Sequence, residues 1–190
     1  MSNWWSVARG VALGFGVVAL VSACNSGGGS TASSQNATAM STIASDVPAG
    51  FDACQIPASV VQDEHLKNKG ADSQDGAGGI KWRGCRWVQA GGDGYGATID
   101  SSNITLAMVR ANKDFVVDGE STVAGRSAVT SHVNGQDSHA ACVINVEIQG
   151  GSLEISVNNP PSARDTGAQD SCDIAKRLAD EIVPAIPAGL

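Results

Sequence analysis

The sequence predicts an α+β domain, an antiparallel sheet flanked by two helices and stapled by two disulfides. Three observations carry this. Short stretches of alternating apolar and polar residues follow one another across small Gly-containing turns, as at 80–102 and 142–159. An amphipathic helical pattern closes the chain after Asp170. Four cysteines, Cys54, Cys85, Cys142 and Cys172, fall in this region, enough for two bridges.

The elements follow in chain order. "IPASVVQDEHLKNKG" (56–70) reads as a first helix, with Pro57 in its first turn and Gly70 at its end. "IKWRGCRWVQ" (80–89) reads as a strand, "AGGDG" (90–94) as a turn and "YGATIDSS" (95–102) as the next strand. "ITLAMVRANKDF" (104–115) satisfies either a strand or a helix. Residues 121–133 read as two short strands around Gly125, and 134–140 as a loop. Residues 142–159 read as a hairpin. Cys142, Ile144, Val146 and Ile148 share one face of its first strand, and Leu153, Ile155 and Val157 do so on the second. Asn145, Glu147, Glu154 and Ser156 face the other way. In the last helix Asp170 is the N-cap. Cys172, Ala175, Ala179, Ile182, Val183 and Ile186 form its apolar stripe, and Pro184 stops it.

This layout brings Cys142, at a strand start, near Cys172, at a helix start. Cys142–Cys172 with Cys54–Cys85 is therefore the first choice, and Cys54–Cys142 with Cys85–Cys172 stays open. A bridge closing about 30 residues contributes roughly 3–4 kcal/mol in the chain-entropy description.

The fifth cysteine, Cys24, has a different setting. Residues 1–10 carry one positive charge, Arg9, and no acid. The apolar run "VALGFGVVALV" (11–21) follows, too short for a bilayer span of roughly 20 residues but suited to a secretory signal. "VSAC" (21–24) resembles a bacterial lipobox. That resemblance implies cleavage before Cys24 and a diacylglyceryl thioether on its sulfur, with fatty chains of the palmitate type. Two buried chains suffice for stable anchoring. The uncharged, Pro-free stretch 25–45, rich in Gly, Ser, Thr and Ala, suits a flexible tether. The expected organisation is a signal peptide over 1–23, a lipidated tether over 24–46 and a folded domain over 47–190. The expected place is the extracytoplasmic face of the cell membrane.

Composition narrows the partners. A hydrophobic share of 42% supports a core, while aromatics are only 4% and glycines number 23. The net charge is -7, and residues 1–23 contain Arg9 and no acid, so the chain after cleavage is one unit more negative. Such a chain repels phosphate backbones, which argues against nucleic acid as a partner and against a polybasic grip on anionic lipid.

The pieces "FDACQIP", "GCRW", "VAGRSAV", "CVINVEI" and "SCDIAKRLADEIVPAIP", in that order, resemble the actinobacterial lipoproteins grouped as domain of unknown function 3558. The likeness covers about residues 50–187. Ala53 stands where that family usually has Pro, and "HLKNKGA" departs from the usual end of its first helix. The resemblance implies an envelope lipoprotein of an actinomycete and supplies no activity.

Catalytic patterns are missing from the sequence. His65, His132 and His139 make no metal-ligand spacing. His132 and His139, either side of a loop with Asp137, read as solvated loop histidines. There is no Gly-x-Ser-x-Gly elbow, no Cys-x-x-Cys pair and no phosphate-binding Gly loop. Two residues stand out as candidate ligand contacts. Trp82 lies on the face of its strand opposite Cys85 and Trp87, and Arg126, just after Gly125, is placed to hold an anionic group. The expected function is a non-enzymatic binding module without cofactor or metal. It would take an unknown small ligand or lipid, or else dock an envelope protein or cell-wall polymer.

Overall fold

The computed structural model describes residues 43–190. The signal-peptide, lipidation and most of the tether assignments, Cys24 included, lie outside the described residues. Within the stretch read as tether, Ala44 already accepts a hydrogen bond from Asn103 Nδ2 at 2.8 Å, and Asp46 meets Lys81 Nζ at 3.5 Å.

The elements are α1 (Ala58–Asp63), β1 (Leu66–Asp75), β2 (Lys81–Gln89), β3 (Gly96–Ser102), α2 (Leu106–Ala111), β4 (Phe115–Val123), β5 (Arg126–Val133), β6 (Ala141–Ile148), β7 (Gly151–Asn158) and α3 (Ser171–Ile182), with 3₁₀ turns at Ala77–Gly79 and Val183–Ala185. The seven strands form one antiparallel sheet in the order β1-β2-β3-β7-β6-β5-β4. The chain builds one meander, β1–β3, and then a second, β4–β7. The second meander runs back so that β7 pairs with β3 and closes the sheet.

The expected strands over 80–102 and the 142–159 hairpin are present. Their alternating apolar residues bury one face of the sheet. Ile99, Ile144, Leu153 and Ile155 are fully buried against Ile174, Leu178 and Ile182 of α3. α1 packs on β1 and on α3 at this same face. Asp170 caps α3 as expected, its Oδ1 accepting from the amides of Cys172 (2.7 Å) and Asp173 (3.4 Å). The helix gives way to the 3₁₀ turn that holds Pro184. Both first-choice disulfides are formed, Cys54–Cys85 and Cys142–Cys172, each with Cα atoms 5.0 Å apart. Each ties a helical or loop segment to the sheet.

Four expectations need correction. The first helix ends at Asp63, and residues 66–75 of the polar tail form edge strand β1. That tail has a single apolar anchor, Leu66, so no pattern marked it as a strand. Its backbone pairing with β2 supplies the order instead. Gly70, expected at a helix end, sits at a bulge in β1 with φ +114°, a conformation natural only to glycine. The ambiguous stretch 104–115 resolves into α2, capped by Thr105, followed by the start of β4 at Phe115, so β4 is longer than the short strand expected. Two flanking helices become three, with α1 and α3 on one face and α2 on the other.

One ion pair lies inside the α3 face. Arg177 Nε and Nη2 donate to Glu64 Oε1 and Oε2 at 2.6 and 3.1 Å, and the buried Tyr95 hydroxyl donates to Oε2 at 2.8 Å. Burial pushes the Glu64 carboxyl up, but these hydrogen bonds from Arg177 and Tyr95 outweigh it and hold the carboxyl below its usual range. The contribution of Glu64 is therefore present above the unfolded carboxylate range, about 4.3, and is lost as pH falls through the lower folded value. Arg177→Met is expected to cost about 2 kcal/mol in urea unfolding at neutral pH, below the value for a fully buried pair because the Arg177 side chain is 39% exposed. A loss under about 0.5 kcal/mol would mean that water replaces the guanidinium.

Candidate functional site

Side chains on successive strand residues point to opposite faces. The register therefore places Trp82, Gly84, Thr98, Asp100, Ser102, Asn145 and Glu154 on the face away from α3. α2 covers part of this second face. Leu106 and Val109 pack with Ile104 on Val129 of β5. The cover is incomplete. Beside α2 a cleft of about 320 Å³ is walled by Ile80, Trp82, Ile104, Val109, Phe115 and Val143. This lies at the low end of the ~300–1,000 Å³ of ligand pockets. Asn112, Asn145 and Glu154 are its polar members, and Asn145 Nδ2 donates to Glu154 Oε2 at 3.0 Å and to Ser152 Oγ at 3.1 Å.

A second hollow of about 220 Å³ shares Trp82 and Glu154 with the first. Asp72, Gln74, Thr98, Asp100 and Ser156 complete its lining. The acids come from one cross-strand row. Asp72 of β1 pairs with Gly84 of β2, Gly84 with Asp100 of β3, Asp100 with Glu154 of β7, and Glu154 with Asn145 of β6. Like charges directly opposite in a sheet repel. Asp100 is only 4% exposed, and its Oδ1 has no hydrogen-bond partner. Burial, then the nearby carboxylates of Asp72 and Glu154, push the Asp100 carboxyl up to about 8. Burial also raises Glu154, against smaller downward pulls from Asn145 and Trp82.

Trp82 is thus half-buried at the wall common to both hollows. Arg126 lies elsewhere, in an open depression with Thr105, Glu147 and Leu190. Its guanidinium donates to the carbonyl oxygens of Pro187, at 2.8 Å, and of Leu190, so it pins the C-terminal segment to the β4–β5 turn. The structure does not bring Trp82 and Arg126 into one site. Of the two loop histidines expected, His139 is exposed and meets Asp170 Oδ2 at 2.6 Å. His132 instead lies in β5, 15% exposed, with Nδ1 2.8 Å from Asp118. Among the described residues, one trio of ligand-type atoms lies within 4.8 Å, Asp118 with Cys142 and Cys172. Both sulfurs there are in a disulfide, so they have no lone thiolate for a metal.

Sequence reasoning singled out Trp82 but missed Asp100 and its pairing with Glu154. Glu154 was legible as an outward residue, and Asp100 stood among serines in "TIDSS". Their apposition needs β3 beside β7, two strands about 50 residues apart in the chain.

A family model described as protein of unknown function (DUF3558) matches residues 19–185. The chain belongs to the DUF3558 family. No curated protein and no solved structure matches it. The matched stretch includes Cys24, both disulfides and the whole sheet. In this DUF3558 member three of the four residues of "GCRW" have a clear physical task. Gly84 leaves room for Asp100, Cys85 holds the bridge to Cys54, Arg86 is exposed and Trp87 is buried in the α3-side core.

Proposed function

We propose that this chain is a membrane-anchored extracytoplasmic lipoprotein whose folded domain binds a small ligand or lipid in the Trp82 cleft, without catalysis. The cleft carries the reading. It is a concave, mainly apolar hollow with a few convergent polar groups, the usual build of a small-molecule site. The anchor rests on Cys24, which follows an h-region and precedes a Ser/Gly tether.

Two readouts on one preparation test this. Full-length protein from an actinomycete host is expected to incorporate labelled fatty acid, and Cys24→Ser is expected to abolish it. Native mass spectrometry of the same protein is expected to show an added small-molecule mass that Trp82→Ala loses. Labelling that persists in Cys24→Ser would sink the anchor, and an added mass unaffected at Trp82 would move the ligand elsewhere.

A second reading, docking of an envelope protein, has its own support. Val116 and Val117 of edge strand β4 and Val133 of the neighbouring β5 are exposed at 41%, 40% and 37%. β4 ends the sheet and keeps unpaired backbone groups. A bare mass together with crosslinks in intact cells through Val117 would favour this reading.

A further inference from the structure

We propose that the cleft takes a protonated amine carried on a small apolar body, with the ammonium at Asp100 and Glu154 beside Trp82 and the body in the hollow next to α2. This rests on the ligand-binding reading above and names its ligand class.

The row geometry is the first support. Two carboxyls face each other across β3 and β7, with Asp72 two strands away on the same row and only the side-chain-free Gly84 between. No lysine or arginine stands in this stretch of the row. The nearby cations are engaged or displaced. Arg110 of α2 holds Glu120 at 2.9 Å, Arg83 holds Asp75 and Lys81 meets Asp46. Arg86, on the same face of β2, is exposed and one alternation further along the strand. Among the described residues, Asp100 and Glu154 thus lack a cationic partner.

Asp100 Oδ1 is the second support. It is buried and unpartnered, on a residue that lines the hollow. A polar atom so placed costs about 1–3 kcal/mol unless something donates to it. An ammonium supplies three donors and a charge. Trp82 is the third support, because an indole beside carboxylates favours an organic cation through its ring face. The adjoining apolar hollow then accepts the rest of the molecule. A bare metal ion suits the place less well. Among the described residues, Asp72, Asp100 and Glu154 do not bring three oxygens within 4.8 Å of one another.

A charge requirement follows. Burial and the facing carboxylates of Asp72 and Glu154 hold the Asp100 carboxyl near about 8 when the site is empty. A bound ammonium favours the ionised form, so binding releases a proton below that value. An alkylammonium stays protonated across this range, as lysine does to about 10.4.

The test uses the full chain in lipid nanodiscs, with empty discs as the blank, titrated calorimetrically with hexylamine, hexanol and hexanoate. Hexylamine is expected to bind about tenfold or more tighter than hexanol, the factor of one charge-assisted hydrogen bond, with hexanoate weakest. Its affinity is expected to rise between about pH 6 and 8, by at most about tenfold per unit, and then level off. Asp100→Asn is expected to bring hexylamine down to the hexanol level and leave hexanol unchanged. Equal binding of all three probes, or a preference for hexanoate, overturns the ammonium site while the cleft stands. Binding of none overturns both readings.

Discussion

Gly84→Ala is expected to cost about 4 kcal/mol or more. The reason is distance. A Cβ on Gly84 would lie 1.9 Å from the Ile99 carbonyl oxygen, 2.4 Å from Asp100 Oδ1 and 2.7 Å from Asp100 Cα. Two of these atoms are backbone of the neighbouring strand, so no side-chain rotation relieves them. β2 and β3 must part at the centre of their pairing, next to the Cys54–Cys85 bridge. Gly96→Ala, on β3, is the control. Its Cβ would meet nothing nearer than Trp87 O at 3.7 Å, and the expected change is within about 0.5 kcal/mol. Urea unfolding with comparable m-values decides it. A loss under about 1 kcal/mol at Gly84 would mean that the strands separate easily here.

Asp100→Asn is expected to stabilise the domain, and more so at alkaline than at acidic pH. In the folded chain Asp100 keeps its proton up to about 8, whereas in the unfolded chain it loses it near about 3.9. Between these values the native state binds more protons than the unfolded one, so stability falls as pH rises through this window. Glu154, also raised by burial, adds a slope of the same sign. Asparagine keeps the shape and removes the titration. After allowance for solvent screening at the mouth of the hollow, the gain at about pH 8 is expected to be about 2–3 kcal/mol, and near zero at about pH 4. Thermal or urea unfolding across this range measures it. A gain independent of pH would place the origin in packing, and a loss at every pH would mean that the carboxyl makes a contact amide cannot replace. Stabilisation on removal of an acid is also the mark of a group kept for binding at a cost to the fold.

The two predictions share a cause that the linear sequence carries only in part. Local signals were strong wherever burial is one-sided. The 142–159 hairpin, the α3 stripe and its Asp170 cap were legible because alternation, helical spacing and capping chemistry each act over a few residues. The favoured disulfide pairing was legible for the same reason, since strand start and helix start already place Cys142 near Cys172. β1 was hidden because its residues are polar and exposed, and only pairing with β2 orders it. α2 was hidden because six residues that rest on a sheet face show too little periodicity to separate helix from strand.

By itself, then, the amino-acid sequence determined the family, the α+β character with its α3-side core, and Trp82 as a residue on the far face of its strand. The expected address, a lipid anchor at Cys24, also rests on sequence. The tertiary structure alone decided that β7 inserts beside β3. That single pairing sets Asp100 against Glu154 over Gly84 and makes the far face of the sheet a partly roofed acidic and apolar cleft. The physical reason is the range of the forces involved. Capping, alternation and turns act between neighbours in the chain. The repulsion of two facing carboxyls and the space left by one missing side chain exist only once strands distant in sequence lie side by side.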